Sequence, residues 1–358
     1  MTELEQRRRS VQTALAGLKA DALLVSSPAN LRYLTGYAGS NGLALVTPSE
    51  THFFTDPRYA LEASQTITCK VHIAKKALME ALAAIVKRKK LKKIGFEPAW
   101  LNLVQHQKLM DLLPSGASLQ PVPGVVENLR MIKSPEEIDQ IRRSVLVNSE
   151  AYARTLRRVR LGMRERDVAA ELDYQMRIFG AEKPAFDTIV ASGARTALPH
   201  ASPTSRRLEE NDLLLIDMGA CLDGYMSDMT RMAFLGFPNK RIRALYGAVL
   251  EAQLAAIDCV RPGVTAARVD AAAREVLKRH ALDRHFVHST GHGLGLEIHE
   301  GPRIGKKDPT RLAAGMAITI EPGAYIEGLG GIRIEDTVLV TVNGCEVLTP
   351  TTKEFVHL

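Results

Sequence analysis

The stretch Val287-His288-Ser289-Thr290-Gly291-His292-Gly293-Leu294-Gly295-Leu296-Glu297-Ile298-His299-Glu300-Gly301-Pro302 holds three of the ten histidines in a chain of 358 residues. Four glycines surround them. Glycine lets other groups come close and frees the backbone, and histidine is the common metal ligand and proton carrier near neutral pH. A glycine-loosened segment with three imidazoles therefore reads as the floor of a site rather than as a core strand. A single histidine there would be ordinary loop polarity, so the reading rests on what the rest of the chain adds.

The C-terminal half adds acids in apolar company. Asp217 follows Leu213-Leu214-Leu215-Ile216, Glu321 follows Ala317-Ile318-Thr319-Ile320, and Glu335 lies between Ile332-Arg333-Ile334 and Thr337-Val338-Leu339-Val340. A carboxylate in such a strand is costly unless it is paired or binds a metal. The same half is internally repeated. Arg160-Leu161-Gly162-Met163 matches Arg261-Pro262-Gly263-Val264, and each opens an amphipathic helix. Leu215-Ile216-Asp217-Met218-Gly219-Ala220 matches Thr319-Ile320-Glu321-Pro322-Gly323-Ala324, with Asp228 and Glu335 following at a similar offset. Two similar halves imply a pseudo-twofold domain with an acid at each matching position. Arg164 stands where the second copy has Thr265, a good N-cap, so the first helix is expected to lose that cap.

Arg231 and Arg333 are too few to neutralise four acids. Oxygen donors with one imidazole suit Mn²⁺, Co²⁺, Fe²⁺ or Zn²⁺. Four carboxylates exceed the need of one ion and fit a pair bridged by shared carboxylates, which generates hydroxide at neutral pH. Hydrolysis is the expected reaction class. Asp336, next to Glu335, points to the opposite strand face and stays outside the set. Glu297 and Glu300 are read as solvated, and Tyr225 and Tyr325 as core residues unless the site recruits them.

The N-terminal part alternates helix and strand. Helical spacing over 3–19 is followed by a strand at Ala22–Val25, a Pro-initiated helical turn after Ser27, and strands near 43–46 and 51–55. Helix and strand then alternate to about 122, an α/β pattern with a mixed sheet. Pro121, Pro123 and Gly124 thin out secondary structure, which sets domains at 1–127 and 128–358. Ser134-Pro135-Glu136-Glu137 is a capping box that starts a helix running to about 158.

Composition bounds the remainder. There is no signal-like apolar run at the N-terminus and no stretch long enough to span a membrane. The four cysteines are scattered and suggest neither a zinc knuckle nor disulfides. Together these give the expectation of a cytoplasmic protein with no membrane partner. The net charge is +7, concentrated N-terminally, where residues 1–133 hold 18 Lys and Arg against 10 Asp and Glu. The run Lys87-Arg88-Lys89-Lys90-Leu91-Lys92-Lys93 has no interleaved aromatics and reads as a solvated helix end rather than a nucleic-acid contact.

Leu198-Pro199-His200-Ala201, Ile216-Asp217-Met218-Gly219, Ser227-Asp228-Met229-Thr230-Arg231, the 288–302 segment, Ile320-Glu321-Pro322-Gly323 and Gly331-Ile332-Arg333-Ile334-Glu335-Asp336 occur in the order seen in the Xaa-Pro peptidases of the methionine-aminopeptidase-like M24 superfamily. The chain resembles that family, and Asn30-Leu31-Arg32-Tyr33-Leu34-Thr35-Gly36 extends the resemblance to nearly its full length. The resemblance implies an α+β protein: a C-terminal pita-bread domain and a smaller creatinase/prolidase-like α/β domain.

It also implies roles. Asp217 would hold one metal, Asp228 and Glu335 would bridge two, and His292 and Glu321 would complete the other, with Mn²⁺ favoured over Co²⁺ or Zn²⁺. Glu321 would carry protons. His200 and His299 would bind the substrate carbonyl and the oxyanion, and His288 would line the pocket near the proline ring. Arg333 and Tyr325 would support ligands or the pocket. The expected activity is cleavage of the bond before proline in a proline-containing peptide, as an Xaa-Pro aminopeptidase. A strict Xaa-Pro dipeptidase is the alternative, and a homodimer is implied. A metal-free creatinase-like enzyme, or a non-catalytic relative binding through Lys87–Lys93, fits less well, because all five ligand positions are filled.

Overall fold

The computed structural model describes residues 1–358. It divides into two compact units, Met1–Arg130 and Met131–Leu358.

The first unit is built on a six-stranded sheet. Its spatial order is Lys70–Ile73, Thr51–Thr55, Gly42–Val46, Ala22–Val25, Lys93–Phe96 and Ser118–Pro121. Ala22–Val25, whose four residues are all buried, runs antiparallel to Gly42–Val46 and parallel to Lys93–Phe96. A mixed sheet results, as the alternation predicts. Leu82, Ile85 and Val86 of the helix Leu78–Lys89 pack on it, with Leu109 of Leu103–Leu112. The basic run forms the last turn of Leu78–Lys89 and the residues after it, where cations suit the negative end of the helix dipole. Lys89 Nζ lies 2.7 Å from Glu50. The Pro- and Gly-rich stretch is not bare: Val125–Arg130 is a helix, held by its buried Val126 and Arg130. A short helix after Gly124 shows no periodicity long enough to register in sequence.

In the second unit the helix Pro135–Leu156 starts at the expected capping box. Ser134 Oγ accepts from Glu137 N at 3.2 Å, and Glu137 Oε2 accepts from Ser134 N at 3.1 Å. The internal repeat is visible in the backbone. Glu165–Ile178 and Ala266–Arg279 are both 14 residues long. Each is preceded by an isolated bridge, Arg164 to Arg207 in one copy and Thr265 to Arg311 in the other. Gly162 N donates to Leu208 O in the first half as Gly263 N donates to Leu312 O in the second. The lost cap is partly replaced: Asp167 Oδ2 accepts from both Arg164 N and Arg164 Nε at 2.9 Å.

Each half carries a buried sheet. Leu213–Met218 lies antiparallel between Ile189–Ser192 and Met229–Phe234. In the other half Ala317–Ile320 lies between Gly291–Gly293 and Asp336–Val340. The core of this unit packs the long helix Lys240–Cys259 and the helix Ala266–Arg279 over these strands, through residues such as Val249, Ala252, Val269, Ile318 and Val338. This is the α+β, pseudo-twofold arrangement expected. No helix is long and apolar enough to cross a membrane.

Candidate metal centre and active-site cavity

The register of the strands brings the acids together. Asp217 pairs with Thr230 across one ladder, and Asp228 immediately precedes that strand. In the second half Glu321 and Glu335 face each other between the rungs Ile320–Asp336 and Gly323–Arg333. His292 enters from Gly291–Gly293, which is a strand, contrary to the expectation of a loosened loop. Its glycines serve close approach. A Cβ on Gly291 would stand 1.9 Å from Thr319 O, and one on Gly293 2.0 Å from Gly301 O. Any side chain there would push the neighbouring backbone away and displace His292.

The ligand atoms of Asp228, His292 and Glu335 lie within 4.8 Å of one another. His292 Nε2 is 3.5 Å from both Asp228 Oδ2 and Glu321 Oε1. The His292 Nδ1–H bonds Gly293 O at 3.0 Å, which turns the Nε2 lone pair toward the acids. Burial lowers the His292 pKa to about 4, so the ring is neutral. Asp217 Oδ1 and Glu335 Oε1 are buried with no hydrogen-bond partner. Burial, reinforced by the neighbouring carboxylates, pushes Asp228 and Glu335 well above the usual carboxylate range. Glu321 is pushed to about 7, again chiefly by burial. Orphaned buried oxygens, mutually repelling acids and an imidazole aimed at them form a donor set short of positive charge, and a divalent cation supplies it. The residues fit a metal.

Arg333 is the one buried cation among them. It donates to Asp217 Oδ2 at 2.5 Å, to Tyr325 Oη at 2.7 Å, to Thr230 Oγ1 at 3.0 Å and to Pro199 O at 3.0 Å. Thr230 Oγ1 in turn donates to Glu335 Oε2 at 2.8 Å. Thr319 Oγ1 accepts from His292 N and donates to Glu321 Oε1. Both threonines orient ligands, and their positions opposite or near acids on the ladders are what reveal them. Arg231 is spent elsewhere, on Asp336 at 2.7 Å, and Asp336 also accepts from Gln253 and Lys353. Asp336 is thus outside the cluster.

A cavity of about 650 Å³ opens over the acids. His200, His288 and His299 line it together with Asp217, Asp228, His292, Glu321, Arg333 and Glu335. His299 stands edge-on to His292, ring centroids 4.4 Å apart, and burial lowers its pKa. The His288 Nδ1–H bonds Ser289 O, and its Nε2 meets Tyr325 Oη at 2.9 Å. Burial, helped by the Arg333 charge, lowers the His288 pKa to about 4. Tyr325 does not line the cavity but stands behind its wall, holding Arg333 and His288. Phe186, Ile189 and Ile298 give the cavity an apolar side, and Arg303 and Glu300 also line it. Neither Arg303 nor the apolar trio carries a sequence signal. Glu300 corrects the expectation of a solvated residue: its side chain is 5% exposed and lies 2.8 Å from the buried Lys133.

The crowding sets a pH dependence for the metal-free protein. Carboxyls whose folded pKa is raised stabilise the fold below their unfolded pKa, and that contribution is lost as pH rises through the folded values. His288 and His292 act oppositely, but only below about pH 6.5, the unfolded histidine value. In the window from 6.5 to 8 the carboxyls dominate. Chelator-treated protein should melt a few degrees lower at pH 8 than at pH 6.5; a melting temperature that rises over this window would contradict the repulsive cluster.

Comparison with known proteins agrees with this geometry. Residues 139–342 match metallopeptidase family M24, and residues 7–132 match the creatinase/prolidase N-terminal domain. The chain is 39% identical to an Xaa-Pro dipeptidase of Pyrococcus furiosus over 335 residues, covering 93% of this chain and 94% of that protein. It superposes with a TM-score of 0.97 on an Xaa-Pro dipeptidase from Bacillus anthracis, 35% identical, covering 99% and 100% of the two chains. An X-Pro aminopeptidase from Thermotoga maritima gives 0.90 at 34% identity, with 95% and 98% covered. Two acid pairs at matching places in the two halves, a neutral histidine aimed at them and full-length similarity of this kind have one explanation: the chain belongs to metallopeptidase family M24.

Proposed function

We propose that this metallopeptidase hydrolyses Xaa-Pro dipeptides at the bond before proline. The carrying observation is the acid–histidine cluster with its two unpartnered buried oxygens, set beneath a cavity with an apolar side. The choice of dipeptide reverses the order that the resemblance implies, which puts the aminopeptidase first. The Pyrococcus furiosus and Bacillus anthracis proteins favour the dipeptidase.

In this reading Asp217 would hold one ion, Asp228 and Glu335 would serve both, and His292 and Glu321 would complete the second, with two Mn²⁺ ions as the proposed complement. Bound ions of this kind lower the pKa of water and polarise the scissile carbonyl. The chain's own groups do the rest. Glu321 takes the proton released by the attacking water and delivers it to the proline nitrogen. That nitrogen belongs to a tertiary amide with no N–H, so it must gain a proton to leave as the secondary amine. His200 and His299 hydrogen-bond the carbonyl oxygen as negative charge develops on it. His288, kept neutral and held by Tyr325 and Ser289, presents its ring to the proline beside Phe186 and Ile298. Arg333 holds Asp217 in place through its guanidinium bond to Oδ2.

The test is hydrolysis of Ala-Pro and Ala-Pro-Ala by metal-stripped protein refilled with Mn²⁺. The expected result is cleavage of the dipeptide alone. Cleavage of both restores the aminopeptidase, and cleavage of neither, with metal bound, rejects the substrate class. A homodimer is part of the proposal and is checked by light scattering. The four free cysteines accord with a reducing, cytoplasmic setting, which cell fractionation tests.

A further inference from the structure

His200 reaches the cavity from the loop between Ser192 and Thr204, and no hydrogen bond holds its ring. Its position is inherited from the backbone of that loop. One buried carboxylate closes the base of the loop. Glu165, the first residue of the helix Glu165–Ile178, is 0% exposed. Its Oε1 accepts from Ser192 N and Ser192 Oγ, both at 2.8 Å. Its Oε2 accepts from Thr204 N at 3.0 Å and Thr204 Oγ1 at 2.6 Å. Arg195 Nε bonds both oxygens at 3.2 Å. Further along, Gly331 N donates to Thr196 Oγ1 at 2.9 Å, and Arg333 donates to Pro199 O, one residue before His200. The loop is thus tied at its base by Glu165 and near its tip by the same arginine that holds Asp217.

The internal repeat supplies a control. The matching helix begins at Ala266, and its backbone makes the equivalent bond: Ala266 N donates to Thr310 O at 2.9 Å, as Glu165 N donates to Arg206 O at 3.0 Å. Ala266 is just as buried. The fold therefore tolerates a methyl group at this position, and the carboxylate occurs only in the first half, at the base of the loop that carries His200. Burial pushes the Glu165 pKa up, but the bonds from Thr204 and Ser192 outweigh it and keep the acid ionised, so its bonds are charge-assisted and strong.

We propose that Glu165 is a positioning residue for catalysis, clamping the two ends of the 192–204 loop so that His200 meets the substrate carbonyl. The inference rests on the role given to His200 under the proposed function. Misplacement of a reacting group by about 1 Å can cost about 100-fold, so Glu165→Gln should lower kcat on Ala-Pro by about 10- to 100-fold with KM and Mn²⁺ content little changed. In a His200→Ala background the same substitution should cost less than about twofold, because residues that act as a unit are not additive. Equal losses in both backgrounds, or no loss in the wild type, overturn the clamp and leave Glu165 structural. Should Glu165→Gln fail to melt cooperatively, Glu165→Ala carries the same cycle, since alanine occupies the repeat-related position. If His200→Ala itself costs nothing, the role of His200 fails and the clamp with it; a normal His200→Ala loss with additive Glu165→Gln rejects the clamp alone.

Discussion

Glu321→Gln yields a folded protein that turns over Ala-Pro about 10²- to 10⁴-fold more slowly. Glutamine keeps the shape, can still accept from Thr319 Oγ1, and offers one oxygen to a metal, but it cannot take a proton and pass it on. Glu321 is the acid suited to that task. In the metal-free chain burial places its pKa at about 7, the region in which a group both gains and loses a proton at working pH. His292 sits 3.5 Å from it but is neutral and committed through Nδ1 to Gly293 O, so it is no substitute carrier. The check is kcat on Ala-Pro together with metal analysis. Near-normal turnover with metal retained would remove Glu321 from proton transfer; loss of metal would instead make it a ligand first.

Asp228→Asn is the second large effect. Metal content measured by atomic emission should fall from two ions per chain to one or none, and turnover should drop by at least about 10²-fold, since a metal contributes several kcal/mol to the transition state. The residue is 5% exposed, faces His292 Nε2, and belongs to the group whose ligand atoms lie within 4.8 Å. Asparagine removes a charge that a bridging position requires. The same substitution should raise the melting temperature of the metal-free protein, because a neutral side chain ends part of the repulsion that lifts the neighbouring Glu335 carboxyl. Two bound ions with unchanged activity would refute the bridging role. Destabilisation of the metal-free form would refute the electrostatic account of the cluster.

Much of the site is legible in the order of residues alone. Glu321 and Glu335 lie within runs of Ile, Val and Leu, and the repeat places Asp217 and Asp228 at matching positions, so buried acids in pairs follow from composition along a strand. Pairing then needs only register, and the ladder Leu213–Met218 against Met229–Phe234 supplies it. The short helix Val125–Arg130 leaves no such trace, because one and a half turns give no period to see. Nor does the close approach at Gly291 and Gly293, because a glycine in a strand and a glycine in a loop look alike in one dimension.

By itself the amino-acid sequence determined the two-part architecture, the pseudo-twofold repeat and the types and order of the acids and histidines, since each is written in spacing over a few residues or in resemblance along the chain. Only the tertiary structure decided which partners those residues keep. Arg333 meets Asp217 across 116 residues of chain, Glu300 leaves solvent for Lys133 across 167, Tyr325 stands behind the cavity wall, and Glu165 closes the loop that carries His200. Such contacts depend on where distant strands and helices pack, and buried charge accepts a partner from wherever the fold brings one within hydrogen-bond reach.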